Sequence, residues 1–163
     1  SALIDKVAET LRLMPTVEKR NTLLRLFNIV ESDIARDYFP IYATQKVDTV
    51  SGIVAYKDFD FQAHEIKGVY DEAGNCCKYE LFPTYVKTVP GTIRIKYKRG
   101  TKDKTIDGES DYKLCYFDVL VFGLLTEYAN MIGDLDQADI YKKEFDEKKA
   151  EMYERIAKEK RYQ

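Results

Sequence analysis

The side chains best suited to chemistry in this sequence are one histidine and three cysteines. No serine or cysteine motif accompanies His64, so nothing marks it as the base of a nucleophile. Cys76 and Cys77 are adjacent and therefore lack the two-residue spacer that lets two thiolates reach one tetrahedral zinc ion. An odd set of cysteines that includes Cys115 also fits no ordinary disulfide framework. We predict a structural histidine, free thiols and no metal.

An acidic loop is the second candidate for chemistry. Positions one, three, five, six and nine of a calcium-binding loop are matched by Asp103, Thr105, Asp107, Gly108 and Asp111. Position twelve is Leu114, however, where a calcium loop needs a glutamate that supplies two oxygens. We expect these loop residues to cap a helix and to form turns, and we predict neither a metal nor a cofactor.

Other catalytic signatures are absent from the sequence. It contains no phosphate-binding glycine loop, dinucleotide fingerprint, metalloprotease helix or paired carboxylate site. This pattern predicts a structural or binding protein and no catalytic residues. An enzyme remains the weakest of the alternatives, because no pocket with perturbed acids is indicated.

Composition and charge narrow the functional class. A net charge of −2 argues against a protein whose main task is to coat nucleic acid, which needs a clear surplus of Lys and Arg. Asp118 and Glu127 interrupt the best candidate for a membrane span. The amino terminus lacks the basic and apolar regions of a secretory signal, so we expect a cytosolic product.

Hydrophobic periodicity predicts an α+β fold in one domain, residues 1–163. Residues 1–40 are expected to be helical, residues 41–99 to form a β-rich insertion, and residues 111–160 to form a hairpin of two long helices around Gly133. The second helix has an apolar stripe at Leu23, Phe27, Val30, Ile34 and Tyr38. Glu31 is predicted to point outward from that stripe. The helical core thus consists of two N-terminal and two long C-terminal helices.

Within the β-rich insertion, residues 92–98 form the clearest strand. Ile93, Ile95 and Tyr97 alternate with basic residues, which is the pattern of a half-buried strand. Residues 65–70 are predicted to pair with residues 77–82 across an intervening turn.

A cluster of basic residues begins on this strand and continues into the following loop. It consists of Arg94, Lys96, Lys98, Arg99, Lys102 and Lys104. One interpretation is a patch that faces phosphates or an acidic partner, including DNA in a channel. The other is the solvated face of an edge strand, where lysines discourage pairing between sheets. Aromatic residues for base stacking are not interleaved on that face, which favours the second interpretation.

The first helix of the C-terminal hairpin is apolar on nearly all sides. Such a helix must be buried against more than one neighbour, either within the chain or across a subunit contact. Asp118 lies in this apolar stretch, and a buried carboxylate needs a partner. That partner is either an Arg or Lys of the same chain or a group on a neighbouring subunit. Asp118 and Phe122 are therefore predicted as subunit contacts.

The order of these elements resembles the head-to-tail adaptor, or connector, proteins of tailed bacteriophages. The resemblance is carried by the strand 93–98, the acidic loop 107–111, the aromatic-rich helix 116–128, the Gly turn and following residues 133–141, and the charged helix 145–153. Two helices followed by a β-rich insertion are similar to the first half of those adaptors. Lys98-Arg-Gly-Thr101 stands where the family pattern has a proline.

The resemblance implies a structural virion protein at the virion neck, made in the cytoplasm of the bacterial host. Its copies would form a ring of about twelve on the portal protein, extend the DNA channel and hold the next neck or tail protein. Non-specific contact with packaged DNA would be expected, and no membrane contact. The family also implies that the terminal helix grips the portal, here through Met152, Tyr153, Ile156, Arg161 and Tyr162.

A small α+β domain that binds a peptide or ligand, with no viral role, is the alternative from another class. In such a domain the apolar helix would be covered within one chain. A ring, by contrast, would leave part of that helix for a neighbouring subunit.

Overall fold

A computed structural model describes residues 2–14 and 16–161. The chain divides into two compact units. Unit 1 is discontinuous and comprises Ser1–Glu31 and Asp103–Gln163, whereas unit 2 is the intervening segment Ser32–Lys102. Helices before and after a β-rich segment confirm the predicted α+β class.

Unit 1 contains helices whose ends follow from local sequence. Helix α1 spans Ala2–Thr10, α2 spans Val17–Asp37, α3 spans Phe117–Met131 and α4 spans Leu135–Arg161; the last six residues of α2 belong to unit 2. Thr16 caps α2, because its hydroxyl accepts the N–H of Lys19 at 3.2 Å. Gly133, at φ +78°, ends the α3 segment, and Asp134 caps α4 by accepting the N–H of Gln137.

Helix α3 is the centre of unit 1. Nine of its fifteen residues are buried, and α1 and α4 both pack against it. At Gly123 two neighbouring helices lie close to the backbone of α3: an added β-carbon would lie 2.9 Å from Val30 Cγ1 of α2 and 3.2 Å from the Phe145 ring of α4. Most of the apolar surface of α3 is therefore covered by helices of the same chain.

Unit 2 contains two three-stranded sheets. The longer strands β1 (Ile41–Thr49), β3 (Ala63–Asp71) and β6 (Gly91–Arg99) form an antiparallel sheet in the order β1-β6-β3. The shorter strands β2 (Ile53–Ala55), β4 (Glu80–Leu81) and β5 (Tyr85–Lys87) form a second sheet in the order β2-β5-β4.

The inner face of the larger sheet supplies the core of unit 2. Ile93, Ile95 and Tyr97 of β6 are at most 1% exposed, as the alternation of apolar and basic residues predicted. Val54 and Val86 of the smaller sheet are buried in the same cluster. The Phe59 ring packs on Tyr97 with 4.9 Å between ring centroids.

Two expectations about the strands are wrong. Residues 63–71 pair with β6 and meet the segment after the turn only at an isolated bridge between Tyr70 and Cys76. In addition, β6 is the central strand of its sheet and not an edge strand. The local sequence does not indicate which distant strand residues 63–71 pair with. β6 is central because β3 pairs with one of its edges and β1 pairs with the other over nine residues.

Candidate functional site

The most buried charged group of unit 1 is the carboxylate of Glu31. Its side chain is 0% exposed, and Lys104 Nζ lies 2.7 Å from Oε1. Ser110 donates its hydroxyl to Oε2, and the Asp111 N–H donates to the same oxygen at 3.1 Å. The Lys104 ammonium also contacts Asp111 Oδ2 at 3.1 Å. The charge is thus compensated by one ammonium and by further hydrogen bonds.

This cluster holds the acidic loop against α2. Asn28, one helical turn before Glu31, accepts the Lys104 N–H at 2.8 Å and donates to the Lys104 carbonyl at 3.2 Å. The backbone of Lys104 is therefore bound by Asn28, and its side chain is bound by Glu31, one turn further along the same face of α2. The cluster stabilises the loop, and the Lys104 ammonium is already paired with the carboxylates of Glu31 and Asp111.

The position of Glu31 corrects two predictions. Glu31 was expected to point outward, but it lies four residues after Phe27 and three before Ile34, on the buried face of α2. Asp118 was expected to be a buried carboxylate in need of a partner, and it is exposed on α3. Its charge is solvated, so no partner is required in this chain. Phe122 is half-buried, and both residues stay predicted subunit contacts.

The predicted basic cluster does not act as one patch. The Lys104 ammonium belongs to the Glu31 cluster, and Lys98 Nζ donates to the Arg36 carbonyl. Arg99 and Lys102 both lie over the Phe61 ring, at 4.0 Å and 4.7 Å from its centroid.

Only Arg94 and Lys96 of that cluster are exposed on β6, opposite the buried face. We call this side of the larger sheet the outer face. Lys46 of β1 lies directly opposite Arg94, so it extends the outer face across the strands. None of the ion pairs found in residues 2–14 and 16–161 involves these three cations.

Two tyrosines on the flanking strands belong to the same outer face. Tyr42 of β1 is 46% exposed, and Lys96 Nζ lies 5.4 Å from its ring centroid. Tyr70 of β3 is half-buried and pairs with Arg94, and its ring covers Gly68, where an added β-carbon would lie 2.9 Å from the Tyr70 hydroxyl. Aromatic residues are therefore interleaved with the cations through strand pairing, which corrects the expectation drawn from β6 alone.

His64 occupies a half-buried position in unit 2. Its Nδ1 is buried and has no hydrogen-bond partner among the residues that the structure describes. Burial lowers the pKa of His64, and the charges of Lys98 and Arg36 lower it further. The imidazole is thus held neutral, with no serine or cysteine motif beside it.

The cysteines are free thiols, with Cys76 and Cys115 exposed. Over residues 2–14 and 16–161, no three His, Cys, Asp or Glu side chains come together as a metal site.

The residues proposed for portal contact lie at the C-terminal end of α4. Met152 is buried and belongs to the helical core, so its side chain is not offered to a partner. Tyr153 and Arg161 are exposed and Ile156 is half-buried. Tyr162 lies outside the described residues.

An apolar patch that the sequence analysis did not single out lies at the closed end of the α3–α4 hairpin. We call it the hairpin tip and define it by Met131, Ile132, Leu135 and Ile140. Their exposed fractions are 45%, 55%, 65% and 55%. Four large apolar side chains are thus exposed within ten residues of the chain, and we interpret them as a contact surface. Met131 and Ile132 just before the helix-ending glycine, and Leu135 two residues after it, were the signal for it.

Unit 1 also contains a cavity of about 400 Å³ between α1, α2 and the start of α3. Leu3, Phe27 and Leu120 supply apolar walls, and Asp107 and Glu109 of the acidic loop line it as well. Its size and mixed lining suit a small ligand or a short apolar segment.

No protein-family model and no curated protein sequence matches the chain. What defines its class is therefore the α+β architecture itself. No helix in the described parts of the chain has both the length and the apolar character to cross a membrane.

Proposed function

We propose that the chain is a structural protein of a tailed-bacteriophage virion, a head-to-tail adaptor whose copies form a ring on the portal and extend the DNA channel toward the tail. The order of helices, β-rich segment and helical hairpin supports the proposal, as does the resemblance of the C-terminal half to such adaptors. Portal protein, neighbouring copies and a downstream neck or tail protein are the partners it implies.

The observation that carries this proposal is the exposed hairpin tip. A monomer gains about 25 cal/mol for every Å² of apolar surface that a partner removes from water. Leu135 and Ile140 of α4 are more than half exposed, and Asp134, Asp136 and Asp139 are their neighbours in the sequence. An apolar centre with a polar rim is the usual anatomy of a protein interface. The apolar character of α3 does not by itself argue for a ring, because helices of the same chain cover most of it.

The test is to mix the purified protein with its cognate portal and to image the mixture by electron microscopy. We expect a ring of density on the portal, and we expect Leu135→Ser with Ile140→Ser to remove it. Lys142→Ser with Lys143→Ser is the matched control on exposed positions of the same helix. Portals that stay bare with the unmodified protein would rule out the adaptor function.

The second candidate is a small ligand- or peptide-binding domain. Two observations favour it: α3 is covered inside one chain, and unit 1 contains the cavity of about 400 Å³. This function predicts a monomer by light scattering, with or without portal. It further predicts ligands whose binding is lost when Leu114→Trp, at an exposed position of the lining, narrows the cavity.

A further inference from the structure

The outer face of the larger sheet carries three cations, Lys46, Arg94 and Lys96, that have no acidic partner among the described residues, and two tyrosine rings beside them. We propose that this face binds single-stranded nucleic acid, with Lys46, Arg94 and Lys96 on the phosphates and Tyr42 and Tyr70 stacked on bases. The inference concerns unit 2 alone and does not depend on the adaptor proposal.

The first step of the argument is electrostatic. Lys46 and Arg94 are directly opposite each other on neighbouring strands, and like charges in that arrangement destabilise a sheet. Lys96 adds a third cation two residues further along β6. Of the acids on this face, Glu65 pairs with Lys67 at 3.1 Å, and Asp48 accepts the Thr92 hydroxyl at 2.6 Å and forms no ion pair with the three cations. A bound polyanion would relieve the repulsion.

The second step concerns the two tyrosines. Tyr42 pairs across the sheet with Lys98, whereas Tyr70 pairs with Arg94, so the rings lie on opposite flanking strands at opposite ends of the cationic stretch. Four residues along a strand and two strand spacings put their α-carbons about 16 Å apart. Both rings lie on the Lys96 side of these positions, because the Tyr70 ring covers Gly68, the strand partner of Lys96, and Lys96 Nζ contacts the Tyr42 ring. Such spacing lets two bases stack while the phosphates between them meet the cations.

The third step selects the form of nucleic acid. Bases in a duplex are stacked on one another, so their flat faces are closed to side chains. Sheet faces that carry exposed aromatic rings and cations recognise unpaired bases. The combination of Tyr42 and Tyr70 with the cations therefore favours a single strand over a duplex or an acidic polypeptide.

The experiment is a fluorescence anisotropy titration of the full chain into labelled 15-nucleotide oligothymidylate. A dissociation constant on the order of 10 μM is expected at low salt. With three phosphate contacts, a plot of log K against log salt should have a slope of about −2. Replacing Lys46, Arg94 and Lys96 together by alanine should abolish binding, whereas alanine at Lys142, Lys143 and Lys160 of α4 should leave it unchanged.

Paired substitutions separate stacking from structural packing. Tyr42→Phe and Tyr70→Phe keep the ring and should retain binding, whereas Tyr42→Leu and Tyr70→Leu should weaken it roughly five-fold or more. Thermal melting monitored by circular dichroism checks that each variant is folded.

Three outcomes would overturn the proposal: no binding at low salt, equal affinity for a 15-base-pair duplex, or full competition by polyglutamate. Leucine variants that are folded and bind as well as the unmodified protein would do the same, because the rings would then have no role.

Discussion

Lys104 Nζ lies 2.7 Å from the carboxylate of Glu31, and the two side chains are 11% and 0% exposed. They are 73 residues apart in the chain, yet both belong to unit 1. Because neither charge is well hydrated, each depends on the other for its stability. The pair fixes the position of the loop that leads into α3.

Substitution Lys104→Met tests this dependence. It leaves Glu31 buried without a cation, and we expect the free energy of unfolding to fall by about 3 kcal/mol. Urea unfolding followed by circular dichroism measures the change. Lys113→Met, at an exposed position of the same segment, is the control and should stay within about 0.5 kcal/mol. Equal effects of the two substitutions would show that the buried pair is not special.

Substitution Gly123→Ala tests the helix packing around α3. Alanine gains about 1 kcal/mol of helix propensity over glycine, but its β-carbon would lie 2.9 Å from Val30 Cγ1. Overpacking typically costs about 1–3 kcal/mol, so we expect net destabilisation.

The double variant Gly123→Ala with Val30→Ala removes the closest contact. Its loss of stability should be smaller than the sum of the two single losses, because space left by Val30 accepts the new methyl group. Additive losses would mean that Gly123 does not set the distance between the helices.

The pH dependence of stability tests His64. Burial and two nearby cations lower its pKa in the folded chain, so the unfolded chain takes up the proton first as the pH falls. The free energy of unfolding should therefore decrease as the pH drops below about 7, and this decrease should end below the lowered folded-state pKa. His64→Gln should flatten the dependence in urea titrations between pH 8 and 5. An unchanged slope in that variant would assign the effect to other groups.

Substitutions at the hairpin tip should separate folding from association. Leu135→Ser with Ile140→Ser replaces exposed side chains, so we expect stability to change by no more than about 0.5 kcal/mol per site. Self-association measured by sedimentation at high concentration should decrease, because the apolar contact area is lost. Lys142→Ser with Lys143→Ser should leave sedimentation unaltered. Loss of stability would instead place the tip in the fold of unit 1.

Periodicity was sufficient to predict the existence of four helices and the class of the fold, although α3 begins at Phe117 and not at Asp111 as expected. The stripe through Phe27, Val30 and Ile34 is buried, and Gly133 separates the two long helices. These features depend on spacings of three or four residues and on local backbone geometry, both of which are visible in the sequence.

Long-range partners were not predictable in the same way. β6 pairs with strands on either side whose identity depends on tertiary packing, and so the tyrosines beside Arg94 and Lys96 were missed. Glu31 was misassigned because its polar character was given more weight than its place between Phe27 and Ile34. Asp118 was misassigned for the converse reason, since an apolar segment still presents one side to solvent.

The pairing of Ile41 with Arg99 has a consequence for the kinetics of folding. Unit 1 is made of two segments separated by the whole of unit 2, so its formation requires a long loop to close. Once β1 and β6 have paired, Ile41 and Arg99 are adjacent, and only the short segments 32–40 and 100–102 of unit 2 lie outside them, so most of that loop-closure entropy has already been lost. We therefore expect unit 2 to fold first and the Glu31–Lys104 contact to form late.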